Sequence, residues 1–259
     1  RINPGTLAYS LPRAFRLKGP LNVPALEKSF RAIINRHETL RSVFPEIDGA
    51  PGLIISDKTD FRLPVVDIDP AVSEEELEDL LVREAQKSFN LSTGPLCRIV
   101  LFRKNPQEHI LFVNFHHIVF DGWSRGILHR ELDKFYSAFS SGSDPELAPL
   151  ADQYSDYAEY QREQLTGESL DELLEYWKKE LTDIPPAVYM PTSKSRMEMQ
   201  EGRGRRRKTL LPPELNLKLA EFSRKNRCTM YMTLLSIIEI LISRYTDQYK
   251  FLIGTPIST

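Results

Sequence analysis

The stretch ILFVNFHHIVFDG, residues 110–122, decides how this chain should fold. An apolar run that ends in polar and turn-forming residues is typical of a buried strand. After it, large residues recur at helical spacing, namely Ile127, Leu128, Glu131, Leu132, Phe135, Tyr136 and Phe139. Because this spacing predicts a helix that opens at Trp123 and Ser124, the pattern HHxxxDG should lie on a strand, a loop and the start of a helix.

The two histidines of this pattern cannot serve one site together. Successive residues of a strand face opposite sides of a sheet, so His116 and His117 should diverge. An imidazole with a pKa of about 6.5 can accept or donate a proton near neutral pH. Asp121 is a candidate for stiffening the loop, and Gly122 permits a tight turn or the close approach of a ligand. Two histidines and a carboxylate can also bind iron, but the divergence of the histidines disfavours a metal site.

Further motifs occur in an order that points to a known family. They are RHETLRSVF at 36–44, NLSTGPLCR at 90–98, YSDYA at 154–158 and IGTPI at 253–257. Together with HHIVFDGWS at 116–124, they resemble the ordered motifs of condensation domains of nonribosomal peptide synthetases, within the chloramphenicol-acetyltransferase-like superfamily. This resemblance implies an α/β (α+β) fold, in which an acetyltransferase-like lobe has a mixed sheet flanked by helices and an incomplete second lobe follows.

The same resemblance implies roles for the site residues. It gives His117 the catalytic position, facing a channel between two lobes, and makes His116 structural. It makes Asp121 an organising carboxylate and Gly122 a backbone group that lines the channel. From the reaction chemistry, the backbone near Gly122 and near the supporting residues Trp123 and Ser124 could help to hold a developing oxyanion.

The organising carboxylate of the family pairs with an arginine that follows the IGxPV run, but this chain ends at Thr259, before such a residue. We therefore expect the partner of Asp121 to be that arginine or one from the earlier motif, either Arg36 or Arg41. An arginine near a helix end often pairs only with a neighbouring carboxylate such as Glu38, which is our expectation for Arg36. Arg41 is a supporting candidate for the site.

The activity that the resemblance implies is condensation. The amine of a downstream carrier-bound aminoacyl thioester attacks the thioester of an upstream carrier-bound donor, and an amide forms. Phosphopantetheine arms on these partner carrier (thiolation) domains deliver both substrates, an adenylation domain is adjacent, and no cofactor is bound covalently. Two other functions stay open, a coenzyme A-dependent small-molecule acyltransferase of the same superfamily and a noncatalytic domain that recruits partners. The noncatalytic type usually loses a motif histidine, whereas both are present here.

The composition is that of a globular chain. Its 259 residues are 41% hydrophobic, and the net charge of -2 gives no reason to expect nucleic acid or a membrane as partner. Cys97 and Cys228 form no ligand cluster and fit a reducing cytoplasm. The basic run at 203–208 is better explained as a solvated linker than as a nucleic-acid site, because no aromatic residues accompany it. Since the chain starts at Arg1 without a methionine, we expect it to be part of a larger protein.

Local signals divide the chain into segments. We expect an N-terminal lobe at 1–181, an interlobe linker at 182–203 and the truncated beginning of a C-terminal lobe at 204–259. Helices are predicted after Asn22, after Ser73, from Trp123 and from Pro213, and at 154–163, 170–181 and 230–245. Strands are predicted at 53–56, 96–102, 110–116, 206–211 and 249–255, with a loop at 140–149. The strands at 96–102 and 110–116 should form a hairpin, and the apolar helix should be buried.

Overall fold

The computed structural model describes residues 6–185, 187–191 and 209–255. Its strands are β1 (Ser10–Lys18), β2 (Ser42–Val43), β3 (Glu46–Ile47), β4 (Ala50–Pro51), β5 (Ile54–Ile55), β6 (Val65–Asp67), β7 (Cys97–Asn105) and β8 (Glu108–His116). Its helices are α1 (Val23–Arg36), α2 (Glu74–Ala85), α3 (Gly122–Ser141), α4 (Tyr154–Gln164), α5 (Gly167–Glu180), α6 (Pro213–Lys225) and α7 (Met230–Thr246). A 3₁₀ turn at Glu38–Arg41 leads from α1 to β2.

A mixed sheet lies at the centre of the first part of the chain. Its strand order is β1-β8-β7-β6, in which β8 is antiparallel to both of its neighbours and β6 is parallel to β7. The predicted hairpin is confirmed, because β7 and β8 pair from Cys97 opposite Phe115 to Asn105 opposite Glu108. Antiparallel strands need only a short turn between them, which residues 106 and 107 supply.

Helices cover both faces of this sheet. Side chains alternate along β8, so the strand contributes to a core on each face. Leu111, Val113 and Phe115 share a core with Phe30 of α1 and Leu128 of α3. Ile110 and Phe112 of β8 instead belong to a second core, which they share with Leu77 of α2 and with Val100 and Phe102 of β7. A strand that is buried on both faces has a continuous apolar sequence, as residues 110–113 do. The mixed sheet flanked by helices is the predicted α/β (α+β) arrangement.

Capping residues set where the first two helices begin. The Oδ1 atom of Asn22 accepts a hydrogen bond from the N–H of Ala25 at 3.1 Å, and Pro24 occupies the first turn of α1. Ser73 and Glu76 form a capping box at the start of α2. Each cap satisfies N–H groups that the first turn of a helix leaves unpaired. The predicted starts of α1 and α2 are confirmed.

Other predicted elements differ from the structure. The segment at 249–255 forms no strand, because no described strand pairs with it. Its end is instead anchored by a 2.9 Å hydrogen bond between Tyr231 Oη and Thr255 Oγ1. Of the strand predicted at 206–211, residues 209–211 are not in a strand, and the rest lies outside the described residues, as does the basic run. The predicted loop begins late, since α3 continues to Ser141 before Gly142 ends it at a φ of 74°.

Contacts divide the chain into two units, the first ending at Ser169 and the second beginning at Leu170. This division falls within α5, and the predicted boundaries at 181 and 203 stay predictions. In the second unit, α6 contacts α7. A hydrogen bond of 2.7 Å between the hydroxyls of Ser223 and Thr233 joins these two helices.

The helix α7 is exposed along most of its length, so the prediction that it is buried is wrong. Its exposed apolar side chains include Leu234, Ile237, Ile238, Ile240 and Leu241. The apolar composition predicted that other residues pack over this helix, but in the described part of the chain most of its apolar side chains stay exposed. No single described helix is long and apolar enough to cross a membrane, although α6 and α7 pass that test of length and composition as a pair bent by 104°.

Candidate active site

The HHxxxDG segment joins the end of β8 to the start of α3. His116 is the last residue of β8 and lies opposite Ser10 of β1. The backbone N–H of His117 then donates a hydrogen bond of 2.8 Å to the carbonyl of Tyr9. The side chain of His116 is half-buried and that of His117 is exposed. The two rings therefore differ in environment, and the strand alternation predicted for them does not apply, because β8 ends at His116 and His117 lies in the turn that follows.

His116 is held by aromatic neighbours and by the loop that follows it. Its ring centroid lies 6.0 Å from the ring centroids of Tyr9 and of Phe89. Its Nδ1 atom accepts a hydrogen bond of 3.1 Å from the N–H of Ile118. Burial lowers the pKa of His116, and the neighbouring His117 lowers it further. A neutral ring that accepts a bond from the loop backbone fits the structural role predicted for His116.

The loop ends in a reciprocal cap at the start of α3. Asp121 Oδ1 accepts hydrogen bonds from the N–H of Ser124 at 2.8 Å and from its hydroxyl at 2.6 Å. In return, the N–H of Asp121 donates to Ser124 Oγ at 3.3 Å. A carboxylate at this position satisfies N–H groups of the first turn and is favoured by the helix dipole. Asp121 thus fixes how the chain enters α3, in line with the stiffening role predicted for it.

The first turn of α3 is open on its outer side. A Cβ atom built on Gly122 would meet no atom within 4 Å, and the side chain of Trp123 is 75% exposed. The first N–H groups of a helix lack partners within the helix and attract negative charge. Because this turn follows closely on the exposed His117, its N–H groups are candidates for holding a developing oxyanion.

Neither arginine of the RHETLRSVF motif pairs with Asp121, so that alternative is wrong, and pairing with an arginine after the IGxPV run stays a prediction. Arg36 Nε instead donates to Glu131 Oε1 at 3.0 Å. Arg41 Nη2 lies 3.6 Å from Glu38 Oε1, and its Nη1 donates to a backbone carbonyl. The reason is local, since Glu38 and Arg41 are three residues apart and the 3₁₀ turn places their side chains on the same side. Glu38 therefore binds Arg41 rather than Arg36.

Sequence reasoning assigned no role to Glu131, a carboxylate of α3 that is 7% exposed. Besides Arg36, it binds His37, whose Nε2 atom donates to Glu131 Oε2 at 2.7 Å. A cavity of about 70 Å³ lies beside this cluster, and its lining includes His37, Leu40, Val119, Ser124 and Leu128. The signal that could have revealed the cluster is a charged residue within the apolar stripe of a predicted helix.

The two cysteines of the chain have different environments. Burial raises the pKa of Cys97 to about 11, which keeps its thiol protonated near neutral pH. Cys228 is exposed and lies in the second unit. Among the residues that the structure describes, no group of three or more histidine, cysteine, aspartate or glutamate side chains could hold a metal ion.

Comparison with known sequences identifies a family. The profile of the Condensation domain family matches residues 1–259. One of the proteins that make up the linear gramicidin synthase of Brevibacillus parabrevis is 40% identical over 261 residues. That alignment covers 100% of this chain and 5% of the relative, so the chain corresponds to a small part of that protein.

Solved structures share the fold. A chain from the complex of the X-domain and OxyB from teicoplanin biosynthesis is 30% identical with a TM-score of 0.81, over 95% of this chain and 54% of that one. The first condensation domain of the CDA synthetase has a TM-score of 0.73 at 20% identity, over 95% of this chain and 59% of that one, which shows the fold alone. The predicted fold class and family resemblance are confirmed, and the chain belongs to the condensation domain family of nonribosomal peptide synthetases.

Proposed function

We propose that this chain forms an amide bond between two carrier-bound substrates, with His117 as its catalytic residue. The observation that carries the proposal is the placement of His117, which is exposed directly after a buried strand while its backbone is held by the carbonyl of Tyr9. An accessible ring on a fixed backbone is what the transfer of a substrate proton requires. Asp121, which caps α3, and Gly122, an open backbone group, complete the site.

The reaction is aminolysis of a thioester. The acceptor amine attacks the carbonyl carbon of the donor, and a carbon–nitrogen bond forms in a tetrahedral intermediate. The carbon–sulfur bond then breaks, the thiolate leaves, and the amine nitrogen loses a proton. In our proposal the imidazole of His117 accepts this proton and returns it to the thiolate, a contribution of about 10² to 10⁴ in rate. The alternative role for His117 is to position the amine, which is already a fair nucleophile.

The negative charge that develops on the donor oxygen needs a partner as well. The N–H groups of Gly122 and Trp123 belong to the first turn of α3, where the helix dipole favours an anion. Ser124 supports this turn, because its hydroxyl and N–H both bind Asp121. We therefore propose that the start of α3 supplies the oxyanion site and that Ser124 acts by holding the turn in place.

Partner domains would deliver both substrates. We propose that upstream and downstream carrier domains bring the donor and the acceptor on phosphopantetheine arms, next to an adenylation domain. The support is membership of the condensation domain family, together with the small share of the linear gramicidin synthase protein that this chain matches. Gly122 favours the entry of a long arm, since no side chain fills the space beside its Cα atom.

The test is amide formation by the natural full-length protein, supplied with loaded donor and acceptor carrier domains and followed by intact mass. His117→Ala should slow the reaction by about 10² to 10⁴. His129→Ala is the matched control, because His129 is an exposed histidine of α3 outside the motif, and its rate should equal that of the wild type. Equal rates for the wild type and His117→Ala would overturn the catalytic role of His117. Transfer from coenzyme A to a small acceptor, with no amide from carriers, would favour the acyltransferase alternative.

A partner-binding role is the second candidate. The observation that favours it is the likeness to a chain of the complex between the X-domain and OxyB. On this hypothesis the chain would bind a partner enzyme and would form no amide. Full-length protein that forms no amide with any loaded carrier pair, yet binds a purified partner enzyme from its own biosynthetic pathway, would favour this candidate over condensation.

A further inference from the structure

The core-facing side of α3 carries a charged residue between apolar ones. Leu128, Glu131 and Phe135 follow one another at steps of three and four, and all are buried. Burying a carboxylate is costly unless it is fully paired, and an apolar residue at such a position is often as stable or more so. We therefore expect the carboxylate of Glu131 to be important for its hydrogen bonds rather than for packing.

The two oxygens of Glu131 bind two different side chains at the end of α1. Oε1 accepts from Arg36 Nε at 3.0 Å, and Oε2 accepts from His37 Nε2 at 2.7 Å. Arg36 is the last residue of α1, and His37 is its C-cap. Arg36 is held in turn by the carbonyl of Ala148, which its Nη2 reaches at 2.6 Å. Two bonds that diverge from one carboxylate fix both the distance of α3 from α1 and the rotation of α3 about its own axis.

Packing is incomplete between this cluster and the start of α3. The cavity of about 70 Å³ is lined by His37 and by Val119 and Ser124 of the motif segment, among others. Side chains that line an open pocket lack packing neighbours on the side that faces it. We therefore expect the hydrogen bonds of Glu131, rather than packing, to hold α3 in position beside the Asp121–Ser124 cap.

We propose that Glu131 is a positioning residue of the condensation site, which sets the pose of α3 and thereby of the loop that presents His117. Glu131 lies ten residues after Asp121 on one continuous helix, a separation of about 15 Å. A small rotation at Glu131 would displace the cap and the N–H groups of the first turn. A displacement of about 1 Å at reacting groups can cost about 100-fold in rate. This inference rests on the proposed condensation activity.

The chain offers a matched control on the same pair of helices. The N–H of Asn22, at the start of α1, donates to the hydroxyl of Tyr136 of α3 at 3.0 Å. Tyr136 lies five residues farther from the motif than Glu131 and does not line the cavity. Tyr136→Phe removes a polar tie between α1 and α3 but leaves the cluster of Glu131, Arg36 and His37 intact.

The experiment compares Glu131→Gln, Tyr136→Phe and wild type in the natural full-length protein, with kcat and KM for both loaded carriers and Tm for each variant. We expect kcat of Glu131→Gln to fall by about 10- to 100-fold with little change in either KM, because binding surfaces stay in place. Tyr136→Phe should keep the kcat of the wild type. The double variant Arg36→Met with Glu131→Leu replaces the ion pair by apolar side chains and should keep Tm while kcat stays low.

A double-variant cycle separates positioning from general damage. In a His117→Ala background, Glu131→Gln should cause a smaller further loss of kcat than in the wild type, because part of its effect passes through His117 and only the part that passes through the N–H groups of the first turn remains. A full additional loss in that background, or a wild-type kcat in the apolar double variant, would overturn the positioning role. A wild-type protein that forms no amide would overturn the proposed function itself, whereas an active wild type with an equally active Glu131→Gln would overturn only the role of Glu131.

Discussion

Two apolar regions of this chain have opposite surroundings. The segment from β8 into α3 runs through two cores and places its histidines at the end of a buried strand. The helices α6 and α7 are as rich in apolar residues, yet among their described residues only Ser223 and Thr233 are buried. Phe112 of β8 is 2% exposed and Phe222 of α6 is 58% exposed. An apolar sequence therefore predicts that its side chains are buried, but it does not show which part of the protein buries them.

The largest expected difference between these regions is in stability. Phe112→Ala removes a fully buried ring from the core between β8 and α2, and we expect it to lower the free energy of unfolding by about 3 to 5 kcal/mol. Urea denaturation of the purified chain, followed by circular dichroism, measures this loss. A loss below about 1 kcal/mol would mean that the core around β8 rearranges to fill the space, and the contrast with α6 would disappear.

Local signals in the sequence were sufficient for the elements that position the site. The caps at Asn22 and Ser73, together with the apolar run of β8, predicted the helices and the hairpin correctly. They did not predict β1, because Pro12 and the arginines that follow it interrupt any apolar alternation. β1 forms as an edge strand by pairing with β8, and such pairing between distant segments leaves no local pattern.

The same limit applies to the candidate site. HHxxxDG correctly indicated the strand, the loop and the helix, since each is specified by neighbouring residues, but it did not indicate that Asp121 caps the helix. The carbonyl of Tyr9 that holds His117 comes from the segment before β1, so the motif alone could not reveal it. The predicted pairing of Arg36 with Glu38 was wrong, because several carboxylates are within reach of this arginine and the packing of α1 against α3 selects Glu131.

His116→Gln tests the buried end of the β8 segment, and its effect should be smaller than that of Phe112→Ala. It removes ring contacts with Tyr9 and Phe89 and the bond from the N–H of Ile118, so we expect a loss of about 1 to 2 kcal/mol. Urea denaturation at neutral pH measures it. No loss would contradict the structural role of His116.

The pH dependence of stability sharpens this test. The folded-state pKa of His116 is lowered from its ordinary value, so the unfolded chain binds more protons as the pH falls through about 6.5. The stability that the neutral ring contributes is present above that pH and is lost below it. His116→Gln should therefore lose less stability than the wild type between about pH 7.5 and about pH 5.5. Some loss should remain in the variant, because burial also lowers the pKa of His109. A variant with the full wild-type pH dependence would contradict this origin.

Gly122→Ala separates folding from function at the exposed end of the same segment. A Cβ atom there meets nothing within 4 Å, so we expect stability to stay the same or to rise by up to about 1 kcal/mol, as alanine favours a helix more than glycine does. If a carrier-bound arm approaches this backbone, kcat/KM should nevertheless fall by about tenfold. Thermal unfolding and amide formation on the same preparation give both values. Full activity would contradict the predicted role of Gly122 in lining the channel, and a lower Tm would mean that the turn itself requires glycine.

The smallest effect is expected at Phe222→Ala, which repeats the Phe112→Ala change on the exposed region. Because the ring of Phe222 is 58% exposed, we expect the free energy of unfolding to change by less than about 0.5 kcal/mol in this chain. The same substitution in the natural full-length protein is the informative comparison, again by urea denaturation. A much larger loss there would show that residues beyond the described ones bury α6. The two apolar regions would then both be buried in the full-length protein, and they would differ only in which residues bury them. Equal and small losses in both proteins would instead mark the α6 surface as one that stays open in the full-length protein.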